Sequence, residues 1–163
     1  MKKIKYLLVI LLSVFNCNIE APTQFSEEAL NDVFTTLSGN QVTLKSILEK
    51  HKGKIIVIDI WASWCSDCIK GIPKVKALQK KYNDAVYLFF SLDRGDKPWK
   101  RGIKKYQIEG EHYYMPSGKK SAFGDFVKIR WIPRYMVINK DGNIELFKAT
   151  EADDNKLVNA LKK

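Results

Sequence analysis

Side chains that commonly bind metal ions are scarce in this sequence of 163 residues. It holds three cysteines and two histidines, and of these only Cys65 and Cys68 are neighbours. A structural zinc site requires four ligands, whereas the sequence offers one cysteine pair and the isolated residues His51 and His112. We therefore expect neither a metal site nor a cofactor, and we expect both histidines to lie at the surface.

Internal repeats and low-complexity tracts are also absent from the sequence. Hydrophobic residues make up 45% and aromatic residues 12% of the chain, which is typical of a globular protein. The formal net charge is +10, but the basic residues are scattered along the chain and mixed with acidic ones. This distribution favours a soluble surface rich in lysine, and we expect no nucleic-acid partner.

The apolar run at the N-terminus is too short to cross a bilayer. Lys2, Lys3 and Lys5 precede an apolar run at residues 6–14, and a transmembrane helix needs about 20 apolar residues. A positively charged start followed by a short apolar run is typical of an export signal. We therefore predict that residues 1–17 direct export to the periplasmic side of the cell envelope, and that the chain meets the membrane only through this segment.

Cys17 directly follows the apolar run. A cysteine in this place resembles a bacterial lipoprotein signal, in which the cysteine is lipidated and becomes the new N-terminus. Asn16 departs from that pattern, which usually has a small residue before the cysteine. Lipidation of Cys17, cleavage near Ala21 and an uncleaved anchor are the alternatives. Cys17 is in any case a poor partner for Cys65 and Cys68, which remain as an even pair in an oxidising compartment.

The rest of the sequence predicts a polar tether at residues 18–30 and one α/β domain at residues 31–163. Residues 54–61 form a nearly continuous run of β-branched side chains, which indicates a central strand buried on both faces. Residues 65–81 have helical spacing and residues 85–92 form a second apolar strand. Together these three elements predict a βαβ unit.

Shorter elements complete the predicted order. Asp141 and Gly142 lie between two apolar strands and give the strongest hairpin signal in the sequence. The whole order predicts a central mixed β-sheet with helices on both faces, and residues 107–118 are expected to be irregular. The shorter elements are strands at 33–36, 41–43, 134–138 and 143–147, and helices at 44–51, 97–106, 121–126 and 152–161.

Cys65 and Cys68 lie where the predicted central strand gives way to the helix. The free N–H groups and the positive end of the dipole at a helix N-terminus stabilise an anion. This position should lower the pKa of Cys65 and favour its reactive thiolate. We infer that Cys65 attacks a disulfide and that Cys68, one turn further on, resolves the mixed disulfide. A purely structural disulfide is the alternative, but so small a ring gains little loop entropy.

Two stretches of the sequence carry a resemblance to a known family. The motif Trp-Ala-Ser-Trp-Cys-Ser-Asp-Cys at residues 61–68 resembles the active-site motif of the thioredoxin superfamily. The pair Ile132-Pro133, followed by an apolar strand, is similar to that family's cis-proline loop. The N-terminal signal, the extra segment at 93–130 and the turn at 139–142 resemble the exported TlpA/ResA-like group.

The resemblance covers the chain from about residue 33 onward and implies a thioredoxin-like fold with thiol–disulfide oxidoreductase activity. It implies that Pro133 is cis and lies against the disulfide, with Ile132 offering backbone groups to an extended substrate. Without the resemblance, the sequence around Pro133 is consistent with an ordinary trans proline in a turn before a strand. Trp64, which precedes the first cysteine, is expected to cover the sulfur atoms.

Asp59 is the charged residue inside the predicted central strand. Burial should raise its pKa and make it a usable acid or base. The resemblance implies that a buried carboxylate at this place helps to deprotonate the resolving cysteine, Cys68. The alternative is an aspartate at a strand edge that caps a nearby backbone group.

Asp67 and four aromatic residues are expected to shape the surroundings of the cysteine pair. The negative charge of Asp67 disfavours thiolates nearby and makes the pair less oxidising, although an acid in the first helical turn also simply stabilises the helix. We therefore expect a reductant. Trp61, Trp64, Trp131 and Tyr135 are expected near the site, with Trp61 and Trp131 packed in the core.

We expect exported protein thiols and disulfides as substrates and an electron donor in the membrane. Apocytochrome c, before haem attachment, is one client that the resemblance suggests. Peroxide reduction is a second hypothesis, but the peroxidase pattern of Pro and Thr leading to a lone cysteine is absent before Cys65. The third hypothesis is a non-catalytic binding module whose disulfide only staples the fold.

Overall fold

The structure, a computed structural model, describes residues 20–162. The predicted export signal at residues 1–17, with the candidate lipidation site Cys17, lies outside the described residues. Between residues 20 and 162, no helix combines the length and the apolar character that crossing a membrane requires.

Seven strands form one mixed sheet, which confirms the predicted fold class. They are β1 (Val33–Thr36), β2 (Gln41–Thr43), β3 (Ile56–Trp61), β4 (Val86–Ser91), β5 (Glu111–Tyr114), β6 (Arg134–Ile138) and β7 (Ile144–Ala149). Their order across the sheet is β2-β1-β5-β4-β3-β6-β7. β3 lies near the middle, parallel to β4 and antiparallel to β6.

Helices cover both faces of this sheet. They are α1 (Glu27–Leu30), α2 (Leu44–Lys50), α3 (Ser66–Lys81), α4 (Asp96–Tyr106), α5 (Ala122–Phe126) and α6 (Asn155–Ala160), with a short 3-10 helix at Gly118–Lys120. Side chains of α3 meet the sheet face that carries Asp59 and Phe89. Successive strand residues point to opposite faces, so Phe90 points away from α3, and its ring centroid lies 5.4 Å from that of Phe123 in α5.

The β3–α3–β4 unit is the part of the fold that positions the cysteines. All six residues of β3 are buried, as the nearly continuous β-branched run predicted. The loop that leads from β3 to α3 is held against α4 by a close approach at Gly102. A Cβ atom at Gly102 would lie 2.5 Å from the Cβ atom of Ser63, so glycine allows α4 to pack directly on this loop.

The strand β5 falls in the segment 107–118 that was expected to be irregular, and that expectation is wrong. β5 pairs with β4 on one side and with β1 on the other. It is four residues long and begins with Glu111 and His112, so its local sequence has no clear strand period. Gly110, with a φ of +135°, lets the backbone approach β4, since a Cβ there would lie 2.8 Å from the Tyr87 carbonyl oxygen. Pairing with its neighbours makes this strand, rather than local propensity.

His112 is buried, which corrects the expectation that both histidines lie at the surface. Its ring stacks on that of Phe89 with a centroid distance of 5.1 Å, and Nε2 lies 3.0 Å from the carbonyl oxygen of Ile108. Burial lowers the pKa of His112 and so favours the neutral ring. His51 is partly exposed and lies 3.2 Å from the carboxylate of Glu111.

Packing begins before residue 31, where the sequence predicted the start of the domain. Ala29, in α1, is fully buried. The ring centroid of Phe25 lies 5.4 Å from that of Phe126 in α5. The carbonyl oxygen of Thr23 accepts a 2.7 Å hydrogen bond from the first backbone N–H of β7. Because burial of apolar side chains such as Phe25 is favourable, the second half of the predicted tether packs on the domain.

Candidate active site

A disulfide joins Cys65 and Cys68 at the N-terminus of α3. Cys65 is the N-cap residue of the helix, and the backbone N–H of Cys68 donates a 3.1 Å hydrogen bond to Cys65 Sγ. N–H groups in a first helical turn have no partner within the helix, and they stabilise negative charge placed before them. Cys65 Sγ therefore lies where a thiolate is stabilised once the disulfide is reduced.

The two cysteines face different surroundings. Cys65 lines an open cleft of about 330 Å³, whereas Cys68 lines a small internal cavity between α3 and the sheet. Their exposed fractions are similarly small, 6% and 4%. The two cysteines therefore differ in the direction that they face: Cys65 faces the open cleft, and Cys68 faces the interior.

The peptide bond between Ile132 and Pro133 is cis, as the resemblance implied. The loop lies beside the disulfide, since the carbonyl oxygen of Ile132 is 3.6 Å from Cys65 Sγ. Among the residues that the structure describes, none accepts a hydrogen bond from the backbone N–H of Ile132. This free donor and the neighbouring carbonyl group can pair with an extended segment laid along the loop.

Asp59 lies inside the sheet and not at a strand edge. It is 7% exposed, it occupies β3 between β4 and β6, and its Oδ1 atom has no hydrogen-bond partner within residues 20–162. Burial raises the pKa of Asp59 to about 8. Asp59 and Cys68 line the same cavity of about 10 Å³, close to the space that one water molecule needs. A carboxyl group that changes protonation near neutral pH therefore lies on the inner side of the cysteine pair.

The four aromatic residues expected near the site divide into a buried and an exposed pair. Trp61 and Tyr135 are 2% and 1% exposed, whereas Trp64 and Trp131 are 57% and 64% exposed. Trp131 was expected to pack in the core, and that expectation is wrong. It lies in the loop just before the cis-proline, outside any strand or helix, and it lines the cleft together with Trp64. The two exposed indoles give the cleft apolar walls next to Cys65.

Asp93 holds the segment that precedes the cysteines, and it was not identified from the sequence. Its buried carboxylate accepts hydrogen bonds from the Ser63 backbone N–H at 3.0 Å, from Ser63 Oγ at 2.6 Å and from Ser91 Oγ at 2.8 Å. The carboxyl ends of strands are where α/β sheets place their functional groups. Because Asp93 follows β4 at that end, its position after an apolar strand was the available signal.

Charged side chains surround the mouth of the cleft. Asp67, in the first turn of α3, lines it together with Lys119 and Arg130, which were also not identified from the sequence. Both basic residues are far from the cysteine motif in the sequence, and only the fold brings them to the cleft. No cluster of three or more histidine, cysteine, aspartate or glutamate side chains suited to a metal ion occurs in the described part of the chain.

Comparison with known proteins places this geometry among related chains. A family model described as thioredoxin-like matches residues 53–144. The thiol-disulfide oxidoreductase ResA of Bacillus cereus is 27% identical over 123 residues, which are 74% of this chain and 67% of that protein. An uncharacterised protein of Haemophilus influenzae is 29% identical over 86% of this chain and 88% of its own length. The crystal structure of a candidate thiol-disulfide oxidoreductase from Bacteroides vulgatus is 32% identical, with a TM-score of 0.67 and coverage of 86% of this chain and 94% of that one.

The buried carboxylate of Asp93 should contribute strongly to stability. Hydrogen bonds to a charged group contribute about 1.5–3 kcal/mol, and an amide cannot accept from all three donors, so Asp93→Asn should lower the free energy of unfolding by roughly 2–3 kcal/mol. The exposed Asp96, which pairs with Lys100 at 3.1 Å, provides the control, since Asp96→Asn should cost at most about 0.5 kcal/mol. Urea unfolding of the oxidised proteins measures both, and equal stability of the two variants would contradict this role for Asp93.

Asp59 should make the stability of the oxidised protein depend on pH. With its pKa raised from 3.8 to about 8, the folded protein keeps a proton that the unfolded chain releases between these values. Stability therefore falls as pH rises through this window, by at most about 1.4 kcal/mol per pH unit. Asp59→Asn removes this titration, so its advantage over wild type should grow from pH 4 to pH 8 and then level off. Unfolding measured across this range, with the exposed Asp84→Asn as control, tests this, and parallel profiles for wild type and Asp59→Asn would refute it.

Proposed function

We propose, from the premise that this chain belongs to the thioredoxin-like family, that it reduces disulfides of exported proteins through Cys65 and Cys68. The family model matches more than half of the chain, and the chain is an enzyme of the thiol–disulfide oxidoreductase class. One observation carries the proposal: Cys65 is the N-cap of α3 in a disulfide with Cys68, and it opens onto a cleft beside the cis-proline loop.

The reaction begins with the dithiol form of the protein. The Cys65 thiolate attacks one sulfur atom of the client disulfide, and the second client sulfur leaves as a thiolate that takes up a proton. Cys68 then loses its proton and attacks Cys65 Sγ, which releases the first client sulfur as a thiol. Two electrons have passed to the client, and the Cys65–Cys68 disulfide has formed. A dithiol donor in the membrane then reduces this disulfide and restores the starting state.

Asp59 is the base that we assign to the second step. Its carboxylate and Cys68 line the same cavity, and burial holds the pKa of Asp59 at about 8. A base works best when its pKa lies near the working pH. Asp59 therefore takes the proton of Cys68 as that thiol attacks the mixed disulfide, and it returns the proton to solvent in the next cycle.

Substrate binding is assigned to the cleft side of the disulfide. An extended client segment lies along the loop at Ile132 and Pro133 and pairs with the free backbone N–H of Ile132. The exposed indole of Trp64 contacts the client next to its cysteine. This arrangement places a client sulfur atom near Cys65 Sγ without requiring any particular client sequence in the backbone contacts.

The negative charge of Asp67 supports the direction of the reaction. Asp67 lies in the first turn of α3, between the two cysteines in sequence, with its side chain 48% exposed. A carboxylate beside the cysteines disfavours their thiolate forms. A pair whose reduced form is less stabilised is a weaker oxidant. Asp67 thus offsets part of the thiolate stabilisation that the helix N-terminus and the basic residues of the cleft provide, and on this ground we assign the protein to the reductants.

The export signal predicted at residues 1–17 supports an envelope location on the periplasmic side, and lipidation of Cys17 would anchor the protein there. The clients are then exported proteins with disulfides. Apocytochrome c is the first client that we propose to test, because its cysteines must be reduced before haem attachment. The ResA-named relative supports the activity class and not a particular client.

The reduction potential and a trapping variant test this function. We expect the Cys65–Cys68 couple to equilibrate in thiol buffers near the thioredoxin value of about −270 mV. In Cys68→Ser, a mixed disulfide with the client should accumulate at Cys65, located by mass spectrometry of peptides, while the matched Cys65→Ser should trap none. A potential near about −120 mV would identify an oxidant instead, and a pair that never exchanges would indicate a structural disulfide.

The role of Asp59 predicts a slower resolving step. Starting from a preformed mixed disulfide on Cys65, release of the client should speed up in wild type as pH rises through about 8, the pKa of Asp59. Loss of a general base commonly costs about 10²-fold, so Asp59→Asn should be roughly 10²-fold slower at pH 8. Asp84→Asn should follow wild type. An unchanged rate in Asp59→Asn between pH 6 and 9 would remove Asp59 from the mechanism.

A further inference from the structure

We propose that the cleft beside Cys65 selects client segments that carry an acidic residue next to the reactive cysteine. The carboxylate of that residue pairs with Lys119 and Arg130, while the segment lies extended between Trp64 and Trp131. This inference rests on the proposed function, because it concerns which proteins the same cysteine reaches.

The first observation is that two positive charges in the cleft are left without partners. Lys119 and Arg130 both line the cleft, and within the described part of the chain neither takes part in an ion pair or a hydrogen bond through its side chain. Lys74, elsewhere on the surface, is paired with Glu151 at 3.2 Å and with Asp153 at 2.9 Å. The charge of the cleft, unlike that of Lys74, is therefore available to a ligand.

The second observation is that the acidic group of the cleft does not balance these charges. The Oδ1 atom of Asp67 lies 3.8 Å from Nζ of Lys70. The negative charge of Asp67 is therefore already partly neutralised by Lys70. The segment 118–133, which supplies the opposite wall, contains four basic residues and one acidic residue. The cleft is positive on balance, and a positive cleft with apolar walls concentrates anionic ligands.

The third observation is that the cleft suits a polypeptide. Its exposed walls, Trp64 and Trp131, and its basic residue Arg130 are of the residue types that dominate binding at protein interfaces. Ile132 adds a free backbone N–H at the cleft edge. An extended chain advances about 3.3 Å per residue, so residues within two positions of a client cysteine held at Cys65 lie within about 7 Å of it along the chain.

The expected selectivity is modest and depends on salt. Exposed ion pairs contribute little each, so two of them should favour an acidic over a neutral neighbour by about three- to tenfold in kcat/KM. Charge complementarity of this kind acts mainly on association, and salt screens it. The preference should therefore shrink when the ionic strength is raised.

Three disulfide-bonded peptides that differ only in the residue beside the cysteine, Glu, Gln or Lys, test the inference. Reduction of each by the dithiol form of the protein is followed by stopped-flow fluorescence of the tryptophans at low and high salt. We expect the order Glu, Gln, Lys in kcat/KM, with the spread reduced at high salt. In the double variant Lys119→Gln/Arg130→Gln the ratio between the Glu and Lys peptides should fall towards one, and this ratio is insensitive to any general loss of rate.

A matched control removes two positive charges at the other end of the sheet. Lys52→Gln/Lys140→Gln should keep the wild-type ratio, because both residues line a separate pocket away from the cysteines. If the wild-type protein reduced the three peptides at equal rates, the inference would be overturned and the proposed function would stand. If it reduced none of them, both the inference and the proposed function would be contradicted. Equally fast reduction of oxidised glutathione, a small acidic disulfide, would overturn the assignment to a protein segment.

Discussion

The hydrogen bond from the Cys68 N–H to Cys65 Sγ marks the first turn of α3, and the reactive geometry depends on where that turn begins. Each residue of a helix turns the chain by about 100°, so a start one residue later would swing Cys65 away from the carbonyl oxygen of Ile132. The start is held from outside the helix. Asp93 binds both the backbone and the hydroxyl of Ser63, and α4 packs on Ser63 at Gly102.

The carboxyl group of Asp59 shows how a group that opposes folding is accommodated at a reactive site. A charged carboxylate in the middle of a sheet is costly because it loses water and, here, Oδ1 gains no hydrogen bond in return within residues 20–162. The raised pKa limits this cost, since the neutral form predominates below about pH 8. The remaining residues of β3 are apolar or aromatic and fully packed, so one acid is tolerated there.

The parts of the fold that were predictable from the sequence are those with a strong local pattern. The nearly continuous β-branched run of β3, the spacing of α3 and the Asp141-Gly142 turn each determine their own structure. β5 and the buried His112 depend on pairing with β4 and β1, which are distant in the sequence. Trp131 is likewise exposed because it belongs to the loop that carries the cis-proline past Cys65, although an indole generally prefers burial. Asp93 did have a local signal, its place at the carboxyl end of an apolar strand.

One cysteine lines a cleft and the other an internal cavity, and the proposed chemistry and the proposed recognition divide in the same way. The groups around Cys68, chiefly Asp59 and the apolar residues of α3, come mainly from the β3–α3–β4 unit, and they include the base that we propose. The groups around Cys65 to which we assign client recognition come mainly from segment 118–133. Lys119 and Arg130 are exposed, and their side chains have no ion pair or hydrogen bond among the described residues. Substitutions at these two positions can therefore change the choice of client while the core of β3 and the start of α3, on which the reaction depends, stay as they are.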